Sequence, residues 1–463
     1  MNSRIAIAAS VRLLAAVIIL ATMTSCHSGG DALCPTPGCT LVSLEGSLSG
    51  LVGSGLQLNN PLPDVFTTTQ FSGSTANGTG LGFGSARYNT AYNLAVQSQP
   101  TNPAQTCVIA NGSGTAGTTD ITNITVTCTT NPPRFAYVVN RGSNSISGYT
   151  VDPAAGTLAV IAGSPFAAGK LPVAMAVDQT GHFAYVVNQM DATLSAFSID
   201  RNSGAPTEVS GSPFATGLSP TSVAIDPSTS FVFVANGGDG SVSAYAITAS
   251  GSLTAITGSP FAAGNSPSSV AVDASGVYVY VTNKGDDTIS VFSIQSGVGS
   301  LMLAPGSPVA TEKDPQAVVT GPATGSAYVA NGTANSLSTF GAIGTEQAAE
   351  DGASPYPTGT NPVSIAIDVA GHFVYVANQG SNNISGFNLR ENDFLVPFAA
   401  PFAAGTEPSS VAVDPTGMFA YVVNAGSGSV SVYTIDANTG ALSPIGGSPF
   451  ATGTQPAAIA ISD

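Results

Sequence analysis

From residue 136 to its end, the chain is built of short runs in which apolar and polar residues alternate, each run closed by Gly, Pro, Asn or Asp. Alternation of this kind predicts half-buried β-strands, and no stretch carries the periodicity of a helix. One run recurs. Tyr-Val-x-Asn, or a close variant, ends at Asn140, Asn188, Asn236, Asn283, Asn331, Asn378 and Asn424, at intervals of 48, 48, 47, 48, 47 and 46 residues. A single structural unit is therefore copied seven times. In the last copy, Val411-Ala412-Val413 predicts a first strand, Phe419 to Val423 a second, Val430 to Ile435 a third and Leu442 to Ile445 a fourth. Gly447-Ser448-Pro449-Phe450 then closes the copy. Four strands per unit, punctuated by turn residues, match a propeller blade.

The ends of the array predict how the ring closes. The first copy starts at Pro133-Arg134-Phe135-Ala136-Tyr137, with its second strand and no innermost one, while the chain ends on the innermost strand Pro456 to Ile461. Together the two fragments make one blade, which leaves no open edge. The expected fold class is all-β: a seven-bladed β-propeller over 133–463, closed by the C-terminal strand, preceded by a small β-sandwich over 40–130. Composition agrees, since 43% hydrophobic and 8% charged residues with 53 Gly and 31 Pro describe a turn-dense protein with ample core.

The N-terminus adds a compartment. Residues 1–25 carry Arg4 and Arg12, then the apolar run Leu13 to Ala21, too short to span a bilayer and suited to a secretory signal. Met23-Thr24-Ser25-Cys26 resembles the bacterial lipobox, with Met where Leu is usual; the resemblance implies that Cys26 is lipidated, and cleavage nearby would instead leave it a spare thiol. An extracytoplasmic, lipid-anchored protein is expected, with 26–39 as linker. Of the five cysteines, Cys34 with Cys39 and Cys107 with Cys128 then remain for two disulfides, the second stapling the sandwich.

Candidate chemistry is sparse. In a four-stranded antiparallel blade, the turns after the second and fourth strands share one end of the ring. Arg141, Lys170, Lys284 and Lys313 all fall there, four of the propeller's seven cations, and form the candidate anion-binding set; Glu312, Asp314 and Glu407 share that face and oppose the field. The alternative is four solvated charges. His182 and His372 occupy one repeat position, taken elsewhere by Ser230 and Met418, and read as surface turn residues. The seven repeat Asn residues read as strand-end caps, and Asp178, Asp226, Asp273, Asp368 and Asp414 as turn formers. No catalytic residue, metal site or cofactor is assigned. In the fifth copy, Gly344 to Asp351 replaces the expected outer strand with an acidic stretch. Without residues 1–25 the chain holds eight basic and 26 acidic residues, a formal charge of −18, which repels nucleic acid.

Tyr280-Val281-Thr282-Asn283 is similar to the namesake motif of the YVTN-repeat surface proteins. The loop Asp436-Ala437-Asn438-Thr439-Gly440-Ala441-Leu442, echoed from Asp152 to Leu158, resembles the seven-bladed lactonase family, which includes 6-phosphogluconolactonase. That resemblance spans the propeller and implies the fold, with lactone hydrolysis as the activity. The sequence reading is a binding or surface-interaction module, expected to be a monomer with an unknown ligand or envelope partner; the alternative is a lactone hydrolase using Arg141, Lys170, Lys284 and Lys313.

Overall fold

A computed structural model describes residues 41–462, apart from 54, 63–64, 72–75, 101–104, 131–134, 322–325, 342–353 and 391–393. The signal segment, Cys26, Cys34, Cys39 and the acidic stretch of the fifth copy lie outside the described residues. The chain divides into two compact units, Met1–Thr130 and Asn131–Asp463.

In the first unit, a four-stranded sheet places Leu41–Ser49 between Gly78–Arg87 and Ile121–Thr130, with Gln105–Ala110 at its edge. A three-stranded and a two-stranded sheet complete it, and Leu44, Leu48, Leu58, Phe83 and Ile124 lie in one buried core. Cys107 and Cys128 face each other across the last antiparallel pair and form a disulfide, closing the edge strand.

The second unit is seven antiparallel sheets in chain order. Blade 2 illustrates them: innermost strand Pro172–Val177, second strand Phe183–Asn188, third strand Thr193–Ile199, and an outer strand in two pieces, Pro206–Glu208 and Phe214–Ala215, both paired with the third. The sequence reading ended the fourth strand before Gly-Ser-Pro-Phe. Instead the motif is a kink within that strand. Ser164, Ser212, Ser259, Ser307, Ser354 and Ser448 each precede a cis proline, and each side-chain oxygen accepts a third-strand N–H at 2.8–3.0 Å. The hydroxyl thus satisfies a donor that the interrupted ladder leaves open.

Second strands are buried on both faces, since each is sandwiched by neighbouring blades; this is why their apolar runs are nearly continuous. Tyr137, Tyr185, Tyr280, Tyr328, Tyr375 and Tyr421 are almost wholly inaccessible, and burial pushes the Tyr137, Tyr185 and Tyr375 hydroxyls far above their ordinary pKa. Those three hydroxyls donate to the carbonyls of Gly204, Gly251 and Gly440 in the next blade at 2.7, 3.0 and 2.7 Å. Gly204 has φ +72° and lies against Phe135, where a Cβ would come within 2.4 Å of the ring. The Asp-x-x-x-Gly loop that carries the family resemblance is thus an inter-blade packing device.

The terminal strand Pro456–Ser462 pairs with Phe135–Asn140, placing Ile459 opposite Val138, and completes blade 1. The ring is closed as the sequence predicts.

Candidate functional site

Each second strand ends, and each innermost strand begins, at the same end of the ring, here called the mouth. The residue before the first proline of every innermost strand is Leu171, Ser219, Ser266, Asp314, Asn361, Glu407 or Gln455, and all seven have left-handed backbone with φ between +48° and +66°. Non-glycine residues rarely adopt that conformation. One bond holds it in every blade, and a second is added in four. Each of the seven carbonyls accepts an N–H from the turn that follows the second strand of its own blade. The N–H groups of Leu171, Asp314, Asn361 and Glu407 are accepted by Asn144, Asp287, Asn335 and Asn382 of the preceding blade. The outcome is a ring of seven side chains anchored around the mouth.

Most polar groups beneath this ring are structural. All seven repeat Asn side chains are fully buried. In blade 7, Asn424 donates to Ser429 and Ser431 and accepts the Gly405 N–H at 2.9 Å. Asn140, Asn188 and Asn283 accept the corresponding Gly453, Gly169 and Gly264 N–H groups. Asp191 accepts the Lys170 N–H, and Asn265 donates twice to Asp286, holding that carboxyl below its usual range. At the opposite end, Asp178 and Asp368 accept the backbone N–H groups four and five residues on, which confirms them as turn formers; burial holds the Asp368 carboxyl above its ordinary value. His372 is an exposed residue of the same turn, 3.9 Å from Asp368.

Seven copies supply an internal standard, and blade 5 departs from it. The glycine preceding the ring residue by two positions, Gly169, Gly217, Gly264, Gly359, Gly405 and Gly453 elsewhere, is Glu312 here. Gln316 stands where other blades have Val, Thr, Ser or Ala, and Thr333 where five of the other six have Gly. Asn331 Oδ1 has no hydrogen-bond partner, as is also the case for Asn236 and Asn378, whose blades keep the glycine. The cause of the clustering is visible in Asp314. Its Oδ1 lies 3.2 Å from Lys284 Nζ of blade 4, while its Oδ2 accepts Gln316 Nε2 at 2.9 Å and Thr333 Oγ1 at 3.0 Å. The Asp314 side chain is 21% exposed and Lys284 47%, so the pair meets solvent at the mouth.

All four cations named from the sequence lie at this end, but they do not gather. Arg141 and Lys170 belong to the blade 1 and blade 2 turns, Lys284 and Lys313 to blades 4 and 5. Among the described residues, Lys284 alone of the four has a carboxylate within ion-pair reach. Gln316 and Thr333 were missed from the sequence. Aligning the copies would have exposed both, because a polar side chain replaces a small residue in each. No group of three or more potential metal ligands occurs among the described residues.

Comparison with known proteins places this geometry. The family model described as Lactonase, 7-bladed beta-propeller matches residues 102–216 and 209–459. No curated protein matches. Similar solved structures include a putative 6-phosphogluconolactonase from Bacteroides uniformis, 18% identical, with a TM-score of 0.64 over 72% of this chain and 100% of that one. The periplasmic gluconolactonase of Pseudomonas aeruginosa is 19% identical, with a TM-score of 0.62 over 72% of this chain and 99% of its own. A Lactobacillus plantarum protein is 21% identical, with a TM-score of 0.61 over 72% and 100%. At such identities the structures share the fold alone, whereas the family model covers every blade: the chain belongs to the seven-bladed β-propeller lactonase family.

Proposed function

We propose that this propeller is a lactonase-type hydrolase that opens a lactone without phosphate at the edge of the mouth between blades 4 and 5. The observation that carries the reading is the concentration of departures from the repeat around Lys284 and Asp314. Ring opening needs a base for the attacking water and a positive group for the oxygen that gains charge. A carboxylate offers about four acceptor positions, and three of Asp314's are used by Lys284, Gln316 and Thr333. One position on Oδ1 remains to take a proton from water, beside an ammonium able to stabilise the oxyanion. The water oxygen bonds to the carbonyl carbon, the ring C–O bond breaks, and the proton passes to the departing ring oxygen. Family membership supports this reaction class. A phosphorylated substrate would require further cations converging on the pair, and Arg141 and Lys170 belong to blades 1 and 2, three and two blades from Lys284.

A recognition module without turnover is the second reading, favoured by the use of Asp191, Asp286 and Asp287 as backbone caps. In either case we place the protein outside the cytoplasm, anchored through Cys26.

The test is a pH-stat assay of glucono-1,5-lactone and dihydrocoumarin against the uncatalysed rate. Asp314→Asn is expected to lower kcat by roughly 10²–10⁴-fold, the usual worth of a positioned base, while Glu407→Gln, at the same ring position in blade 7, keeps its rate. Absence of turnover by the unaltered chain would leave the recognition reading.

A further inference from the structure

The geometry points to Thr333 and Gln316 as positioning residues that decide which oxygen of Asp314 is the base. This rests on the hydrolase reading and goes beyond it. Both donors end on Oδ2, at 3.0 and 2.9 Å, while Oδ1 faces Lys284 Nζ at 3.2 Å. With Oδ2 saturated by two neutral donors, its electron pairs are withdrawn from proton transfer, and the remaining basicity lies on Oδ1 next to the ammonium. The two clamps come from different elements: Thr333 from the turn after the second strand, Gln316 from the innermost strand two residues beyond Asp314.

Gly332 makes the convergence possible. A Cβ there would stand 2.8 Å from Asp314 Oδ2 and 2.9 Å from both Asn361 Oδ1 and Gln316 Cγ, so side chains of blades 5 and 6 close over a bare α-carbon. The backbone is constrained too, since Asp314 sits at φ +66° with its N–H accepted by Asp287 and its carbonyl accepting the Gly332 N–H. Lock of backbone and carboxylate together is the arrangement a directed base requires, because reacting groups must be held within a fraction of an ångström.

The experiment compares Thr333→Val, Thr333→Ser and Gln316→Met with the unaltered chain on glucono-1,5-lactone, following kcat, KM and the melting temperature. The expected result is a kcat about 10–100-fold lower in Thr333→Val and Gln316→Met, the range seen when a partner that orients a functional ligand is removed. KM stays within about twofold, and Thr333→Ser restores the rate. A purely structural role would lower the melting temperature while leaving kcat of the folded enzyme unchanged. If Asp314→Asn abolishes turnover while Thr333→Val and Gln316→Met leave kcat unchanged, the positioning inference is overturned and the hydrolase reading stands. If Asp314→Asn keeps full turnover, the hydrolase reading fails first.

Discussion

Blade 7 and blade 5 are built from the same repeat, yet one spends its polar residues on itself and the other presents them. In blade 7, Asn424 is satisfied on both sides of its carboxamide, by Gly405 in front and Ser429 and Ser431 behind. In blade 5, Glu312 replaces that glycine, and Asp314 accepts hydrogen bonds from Gln316 and Thr333 at the mouth. A repeat protein supplies its own control for function, because departures from a locally consistent pattern weaken one copy and so need a compensating reason.

The contrast is sharpest at the glycine. Gly405→Ala would bring a Cβ within 2.5 Å of the Asn424 carboxamide carbon, and overpacking of this sort costs about 1–3 kcal/mol. Glu312→Gly in blade 5 is expected to leave stability unchanged or raise it. Denaturant titration of the two variants measures the difference; equal losses would break the comparison.

A smaller gap is expected at the asparagines. Asn424→Ala strands buried partners and should cost roughly 1–3 kcal/mol. Asn331→Ala should cost about 1 kcal/mol less, since one of its buried groups is unpaired already. Thermal melts of the pair decide it, and an Asn331 variant as damaging as the Asn424 one would contradict the account.

The smallest effect is electrostatic. Asp152, Asp200 and Asp436 cap the loops after the third strands, and backbone or hydroxyl donors hold their carboxyls below the ordinary range. A lowered folded value means that their contribution is complete above the unfolded carboxylate value near about 4 and drains away as pH falls through the folded value. Asp436→Asn should therefore narrow the stability gap to the unaltered chain as pH drops below about 4. A constant gap down to acid unfolding would rule the capping charge out. Buried Asp368 and Asp414 act in the reverse sense, because burial raises theirs and favours the neutral form.

The ring, its closure and the blade order were legible because they rest on period-two alternation and on turn residues, which are local signals. Seven copies of Tyr-Val-x-Asn fix the count, and the unpaired strands at residues 135 and 456 fix the closure. The kink at Gly-Ser-Pro-Phe was not legible as such, since its seal is a serine hydroxyl bonded to an N–H some sixteen residues earlier, Ser164 to Gly148 among them. The mouth was half legible. Topology alone put Arg141, Lys170, Lys284 and Lys313 on one face, but charge counting could not tell which would meet a carboxylate. Lys284 and Asp314 are thirty residues apart and come together only because consecutive blades place a turn beside the next entry loop. Thr333 and Gln316 were invisible to a search for charged residues, being neutral donors whose role exists only relative to Asp314.

The most direct test of blade 5 as the working blade is to revert it to the repeat. A variant carrying Glu312→Gly, Asp314→Ser, Gln316→Ser and Thr333→Gly should keep the unaltered chain's melting temperature or exceed it, and should lose hydrolysis of glucono-1,5-lactone to background. A reverted blade that still turns over the lactone at the original rate would contradict the account and move the chemistry elsewhere in the ring.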